Sequence, residues 1–483
     1  MPSLRVTEIK AFVPSRDFAV SRQFYQDLGF TMASEGGGVA YFHYGHASFL
    51  LQDFCAESLA ENFMMHLLVE DVQAWWDQVH ASGVLAKYRV KVTPLEDQPW
   101  GMRDFCLHDP SGVLWRIGQN TDRPHAAATG TQAMDISSLP DRITGAAAWV
   151  GPDLARDTGQ WLVPLAPEHI AELENAARHY LSLGRDIGEI TAHDFPLGGF
   201  AGHLKALQHK LLHGIGVEVL RGLPVAGYSQ EFAATVFCGI GAHLGSARSQ
   251  NAAGHILGHV RDLGASSKDP NTRIYQTSER QTFHTDSADV VGLLCIREAK
   301  EGGRSLLVSA ETIYNRMRAT RPDLLEKLFD PIATDRRGEV PEGAKPWMEI
   351  PPLSWHAGRL TVFYQRQYID SAQRFEGAMR LTPAHVQALD LFDALANDPA
   401  LHFGMQLQPG DMQFVYNHSQ LHDRTAFGDW PEPERRRHLL RLWLSVPGDR
   451  LLPECFRQRY GSIEVGHRGG IVTRQTRLHA PLV

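Results

Sequence analysis

The sequence predicts an α+β protein in two parts, a repeated βαβββ unit followed by a jelly-roll-type barrel or sandwich with helical inserts. Three observations lead there. Within residues 1–120 the same order of apolar runs and helical periods occurs twice, at about 55–60 residues per copy. Beyond residue 146, short apolar runs separated by Gly, Pro and Asp turns recur: GVEVLRGLP, SADVVGLLCI, SLLVSA, LTVFYQ, GDMQFVYN and HLLRLWLSV. Between the two parts lies 121–145, TDRPHAAATGTQAMDISSLPDRITG, which has no periodicity and is rich in turn formers. The predicted division is 1–120, a linker at 121–145, and 146–483. A chain of 483 residues exceeds one ordinary core, which agrees with two domains.

In the first copy, IKAFVPS (9–15) reads as a strand and SRQFYQDLGF (21–30) as a helix stopped by Gly29. GVAYFHYG and ASFLLQD (38–53) read as a hairpin. In the second, FMMHLLVED (63–71) is strand-like and VQAWWDQVHASG (72–83) helical. RDFCLHDPSGVLWRIGQ (103–119) is a hairpin about a Pro-Ser-Gly turn. In the larger part, PEHIAELENAARHYLSLG (167–184) predicts an amphipathic helix. Pro167 suits its first turn, and Ile170, Leu173, Ala177, Tyr180 and Leu181 form one face. Further helices are expected over 200–213, 310–328 and 383–398.

Composition narrows the function. The net charge of −8 disfavours nucleic-acid binding. Five cysteines at irregular spacing read as reduced thiols rather than a disulfide framework. The first residues show no apolar signal core, and no apolar run approaches membrane-spanning length. The expectation is a cytoplasmic protein with a small-molecule partner and neither a nucleic acid nor a membrane.

Among 24 histidines, only His284, in HTDSAD (284–289), is followed two residues later by an acid, Asp286. On an extended strand, residues i and i+2 share a side. An imidazole and a carboxylate there would need one more imidazole to form the 2-His-1-carboxylate set that suits Fe(II) and leaves three positions open. GDMQFVYNHSQLHDRTAF (410–427) offers His418 and His422, and parity alone admits either. Arg437 follows His422 by fifteen residues, and a guanidinium there could clamp a dicarboxylate co-substrate. Arg441 shares its strand face about 13 Å away, too far to hold the same carboxylate. It could hold substrate or support the site. Read singly, His418, His438, Tyr275, Gln276, Tyr364 and Arg366 are packing or pairing residues.

FHTDSADVVGLLCI with EGGRSLLVSA, PGDMQFVYNHSQLHDRTAF and RRRHLLRLWL match in order and spacing. Through them, residues from about 146 to 450 resemble the taurine dioxygenase-like (TauD/TfdA) Fe(II)/2-oxoglutarate-dependent oxygenases. The resemblance implies a double-stranded β-helix (jelly-roll) core. It implies His284, Asp286 and His422 as iron ligands, the LHxRxxF context selecting His422 over His418. It further implies Arg437 as the 2-oxoglutarate clamp, with Ser305 at a position commonly held by Thr. The expected enzyme uses Fe(II), 2-oxoglutarate and O₂ to hydroxylate or desaturate a small substrate, releasing succinate and CO₂. Arg441 points to an anionic group on that substrate. Related halogenases have a small residue where Asp286 stands, so halogenation is not expected.

RDFAVSRQFYQDLGF, HDPSGVLWRIGQ and the βαβββ repeat resemble the vicinal-oxygen-chelate superfamily of glyoxalase I and the bleomycin-resistance proteins. At the metal positions implied by that resemblance stand Lys10, His66 and Arg116, with Gln52 a further candidate. Two cations lack the lone pairs a divalent metal needs, so no catalytic metal is expected there. Such domains often pair, which makes a homodimer a reasonable arrangement. Two other functions compete. One is a vicinal-oxygen-chelate metalloenzyme using His66. The other is a small-molecule binding or resistance protein acting through residues 1–120.

Overall fold

The repeat in the first 120 residues becomes two four-stranded sheets in a computed structural model of the chain, which describes residues 10–56, 63–98, 102–120, 136–264, 274–473 and 476–482. The chain divides into two compact units, Met1–Gly130 and Thr131–Val483. In the first module a strand (Phe12–Pro14) and a helix (Phe18–Leu28) precede strands Thr31–Gly36, Val39–Tyr44 and Ala47–Gln52. Asp17 starts the helix by accepting from the Val20 amide, and Gly29, at φ 109°, ends it. The first strand lies parallel to the last, Phe12 opposite Leu50. The second module repeats this with Met64–Leu68, the helix Val72–Ala81, and strands Glu96–Gln98, Met102–His108 and Leu114–Asn120, Met64 lying opposite Leu114. Its short additional helix, Val84–Tyr88, was not expected. Nor was the strand Thr31–Gly36, which buries no residue and so has no apolar alternation to betray it.

The second unit contains all six expected strands. Its larger sheet has seven strands. Six run in the order Ser246–Ala247, His438–Ser445, Val290–Arg297, Met412–Tyr416, Val217–Arg221 and Leu162–Pro164, and Leu257–Val260 also pairs with His438–Ser445. The smaller sheet runs Gln281–His284, Gln420–Arg424, Ser305–Ser309 and Phe403–Met405. The fold is thus α+β with a multi-stranded sheet core. Among the described residues no ladder joins these two sheets, so of the expected jelly-roll-type barrel or sandwich the structure shows two separate sheets and no closed barrel.

Every residue of His438–Ser445 is buried, as in a strand covered on both faces. Leu440, Leu442 and Leu444 pack into the main core with the helices Pro167–Ser182, Gly199–His213 and Gln230–Leu244. Leu439 and Arg441, one residue out of phase, line a cavity on the other face. The same alternation splits Met412 and Phe414 from Gln413 and Val415.

Of the expected linker, residues 121–135 lie outside the described residues. The remainder is docked rather than free. Leu139 is buried in a core cluster, Asn315 exchanges two hydrogen bonds with the backbone of Ile143, and Tyr314 Oη donates to Pro140 O. Among the described residues no helix is long and apolar enough to cross a membrane.

Candidate metal centre

The smaller sheet brings the two histidines together. His284 ends its strand and lies directly opposite His422, so both side chains share a face, with ring centroids 4.2 Å apart. The neighbouring strand sets Ser305 opposite Arg424, on that same face. Asp286 does not share the extended strand expected of it: the strand stops at His284, and Asp286 stands in the loop beyond. That loop is held by the Thr285 amide donating to Tyr364 O at 2.8 Å. Asn417 accepts from the Asp286 amide at 2.8 Å and donates to the Asp286 carbonyl at 2.7 Å. The acid therefore still faces the imidazoles, His422 Nε2 lying 3.6 Å from Oδ2 and His284 Nε2 lying 4.0 Å from Oδ1.

One ligand atom from each of His284, Asp286 and His422 falls within 4.8 Å of the others, a spacing that could hold a metal ion. The donor set, two imidazoles and a carboxylate, fits Fe(II). His284 Nδ1 lies 2.8 Å from Thr282 O, so it donates there and keeps a lone pair on Nε2, which accepts from Gln281 Nε2 at 2.8 Å and would turn to a metal when one is bound. Burial, then the nearby His422, pushes the His284 imidazole down to about 3, so it stays neutral. Burial works against charge on Asp286, but Arg441, His422 and His284 outweigh it and hold the carboxyl far below its ordinary range. Oδ2 of Asp286 accepts from Trp443 Nε1 at 2.8 Å and from Arg441 Nη1 at 3.2 Å. Arg441 is fixed in turn by Gln250 Oε1 at 2.8 Å and lies between the Tyr275 and Trp443 rings.

Beside the triad a cavity is lined by Ser305, Gln413, Arg424, Arg437 and Arg441. Arg437 is 5% exposed, and its Nη1 is buried with no hydrogen-bond partner among the described residues. Burial lowers the Arg437 guanidinium to about 10; burial and then Arg437 lower Arg424 to about 9. Arg424 donates only to the carbonyls of Thr277 and Glu279. Two adjacent buried guanidiniums, neither bonded to a carboxylate, create a recess that favours an anion. Ser305 Oγ donates to Gln413 Oε1 at 3.1 Å within the same recess.

His418 does not join this group. It is fully buried, 2.8 Å from Asp289 and 3.7 Å from Asp449, and Arg468 binds both acids at 2.7 and 2.8 Å. These three ligand types also cluster closely enough for a metal, but the Arg468 guanidinium already occupies the acids. Arg366 and Tyr364 are bonded to Asp393, whereas Tyr275 lines the cavity. The supporting side chains Trp443, Gln250, Asn417 and Arg424 carry no motif of their own. Arg424 does stand within the LHxRxxF context, which is the one sequence signal for it.

In the first unit, Lys10 Nζ lies over the Tyr41 ring, Arg116 donates to Asp104 at 3.3 Å, and His66 is exposed opposite Arg116. The Gln52 backbone carbonyl accepts from Ser15 Oγ at 2.8 Å. Among the described residues of this unit no three His, Cys, Asp or Glu ligands converge.

The sequence pattern of the Taurine catabolism dioxygenase TauD, TfdA family matches residues 181–443, more than half of the chain. The chain belongs to that family. It is accordingly an Fe(II)/2-oxoglutarate-dependent dioxygenase, an oxidoreductase that uses Fe(II), 2-oxoglutarate and O₂. Among its relatives is FR-33289 synthase of Streptomyces rubellomurinus, 32% identical over 322 residues, which covers 66% of this chain and 94% of the relative. Another is the taurine hydroxylase-like protein SAT17 of Stachybotrys chartarum, 31% identical over 333 residues, covering 66% and 84%. A crystal structure of an asparagine oxygenase with Fe(II), 2S,3S-3-hydroxyasparagine and succinate is 18% identical, with a TM-score of 0.46, and covers 59% of this chain and 93% of that one. Residues 8–117 match the Glyoxalase/Bleomycin resistance protein/Dioxygenase superfamily. The first unit is thus a vicinal-oxygen-chelate-like domain.

Proposed function

We propose that the second unit hydroxylates or desaturates a small anion-bearing substrate, with iron at His284, Asp286 and His422 and 2-oxoglutarate in the adjacent recess. When bound, Fe(II) with 2-oxoglutarate and O₂ supplies an oxidant that can take hydrogen from an unactivated C–H bond, leaving succinate and CO₂. The observation that carries this reading is the convergence of two imidazoles and a carboxylate beside the buried, unpartnered Nη1 of Arg437. Arg437 binds the distal carboxylate of 2-oxoglutarate through its planar fork, and Arg424 adds charge from the strand Gln420–Arg424 of the smaller sheet. Ser305 turns its hydroxyl to the same carboxylate. Trp443 and Arg441 fix Oδ2 of Asp286 and so aim Oδ1 at the metal. Arg441 keeps the outer side of the centre cationic, which suits an anionic substrate. In this reading the two sheets are the halves of a double-stranded β-helix, and residues 146–483 form the oxygenase domain.

The test is an anaerobic titration of the Fe(II)-loaded protein with 2-oxoglutarate, followed by its visible metal-to-ligand charge-transfer band. Wild type develops the band, and Asp286→Ala and His422→Ala weaken or lose it. A band of undiminished strength in both variants, or none in iron-loaded wild type, overturns the assignment. In aerobic assays, succinate should form in wild type and fall at least a hundredfold in either variant.

A further inference from the structure

The loop that carries Asp286 is gripped from behind by residues past 443, where the family match stops. Residues 285–289 join the strand Gln281–His284 to the strand Val290–Arg297 and belong to neither. Asp286 therefore has no ladder of its own, and its position depends on what holds the loop. Tyr364 and Asn417 hold it at Thr285 and Asp286. A second grip comes from HRGGI (467–471).

Three contacts run from this segment to the back of the site. Arg468 donates from Nε to Asp289 Oδ1 at 2.7 Å and from Nη2 to Asp449 Oδ2 at 2.8 Å, and all three side chains are fully buried. Asp289 closes the loop, and its Oδ2 accepts from the Val446 amide at 2.9 Å. Gly470 donates its amide to Ser287 O at 2.7 Å. Ile471 packs with Ala288, Val291 and Trp443, and Trp443 is the residue whose indole N–H holds Asp286 Oδ2. Two glycines permit so close an approach. Gly469 and Gly470 have φ of 85° and 82°, a region that favours glycine. A Cβ on Gly469 would meet Ser287 O at 2.8 Å, and one on Gly470 would meet Ser249 O and Arg248 Cβ at 3.0 Å.

Burying an arginine between two buried acids is a costly way to gain stability, since apolar side chains of the same volume often serve as well. What the guanidinium adds is direction, because its planar fork fixes one acid relative to the other. We propose that residues 468–471 are a positioning element of the metal centre, with Arg468 as its anchor, acting through Ser287, Asp289 and Trp443 to set where the Asp286 carboxylate points. The proposal rests on the iron reading above. Metal–ligand distances hold to within about 0.2 Å, so groups that never touch the ion control how well it is held.

The experiment is anaerobic Fe(II) titration of the full-length protein, with the melting temperature of the metal-free form measured beside it. Arg468→Lys keeps the charge but loses the fork, and Gly470→Ala puts a Cβ into the contact with Arg248 and Ser249. Arg450→Lys is the control. Arg450 belongs to the same buried network, but its guanidinium bonds Tyr416 Oη, Leu360 O and Thr361 rather than the loop. All three variants should melt lower than wild type. At a temperature where each is fully folded, Arg468→Lys and Gly470→Ala should weaken Fe(II) binding roughly tenfold or more and shift the 2-oxoglutarate charge-transfer band. Arg450→Lys should keep the wild-type affinity and band. Gly470→Ala decides alone should Arg468→Lys fail to fold. Wild-type affinity in either folded variant overturns the proposal. So does an equal loss in Arg450→Lys, which makes the effect one of general stability. Asp286→Ala separates the two readings: Fe(II) binding that it leaves intact refutes the iron centre itself, and the positioning role falls with it.

Discussion

Asp286 shows how much of the centre is built around a single carboxylate. Its backbone is clamped on both sides by the Asn417 amide group, and one of its oxygens is taken by Trp443 and Arg441. Outer partners of this kind orient a ligand and set its basicity. Trp443→Phe keeps the ring that packs beneath Arg441 and removes only the N–H donor. The expected result is roughly a 10- to 100-fold loss of Fe(II) affinity, measured by anaerobic metal titration, with little change in melting temperature. Unchanged affinity would reduce Trp443 to a packing residue. These supports could not be read from the sequence, because Gln250, Asn417 and Trp443 reach Asp286 or Arg441 from distant segments and carry no local signature. The candidate ligands could be read, since HTDSAD is compact. In the sequence only the LHxRxxF context separates His422 from His418, and in the structure the two differ in their surroundings. His418 lies in the turn between two strands, buried against Asp289, while His422 sits in register with His284.

At the scale of the element, apolar period decided what was legible. Pro167–Ser182 buries one face and was predicted from that face. Gln230–Leu244, of equal standing in the core, was not expected, because it is buried almost all round and its small residues cancel any stripe. Its glycines are there for close packing. A Cβ on Gly239 would meet the Phe195 ring at 2.4 Å, and one on Gly241 would meet Leu442 at 2.8 Å. Gly239→Ala should therefore overpack the core and cost about 1–3 kcal/mol despite alanine's better helix propensity. Gly202 makes the opposite case. It is exposed within the helix Gly199–His213, and a Cβ there meets nothing within 4 Å. Gly202→Ala should stabilise by about 0.5–1 kcal/mol. Urea denaturation of the two variants tests the pair; the same sign for both would refute the packing argument.

At the scale of the whole molecule, the segment closing the described chain is stitched into the large sheet of the second unit by titratable groups, and this makes stability depend on pH. Arg297 Nη2 lies 3.5 Å from His438 Nδ1, His438 Nε2 lies 2.8 Å from His259 Nδ1, and His259 Nε2 lies 2.8 Å from Pro481 O. With both rings neutral, every contact pairs one donor with one acceptor. A proton added to either ring leaves two N–H groups facing each other. Burial, and then His259, Arg297, Arg261 and Arg437, accordingly push His438 down to about 3, and burial lowers His259 as well. The unfolded chain takes up the His438 proton near pH 6.5, whereas the folded chain does so only near pH 3. The contribution is thus fully present above about pH 6.5 and is lost progressively as pH falls towards 3, at up to about 1.4 kcal/mol per pH unit. His438→Leu removes the titrating ring while keeping an apolar side chain in the strand. Urea unfolding of the second unit's transition between pH 7.5 and 5 should therefore show a steeper loss of stability in wild type than in the variant. Parallel curves would mean that the pair is protonated without strain, and that the tail is held by its backbone pairing alone.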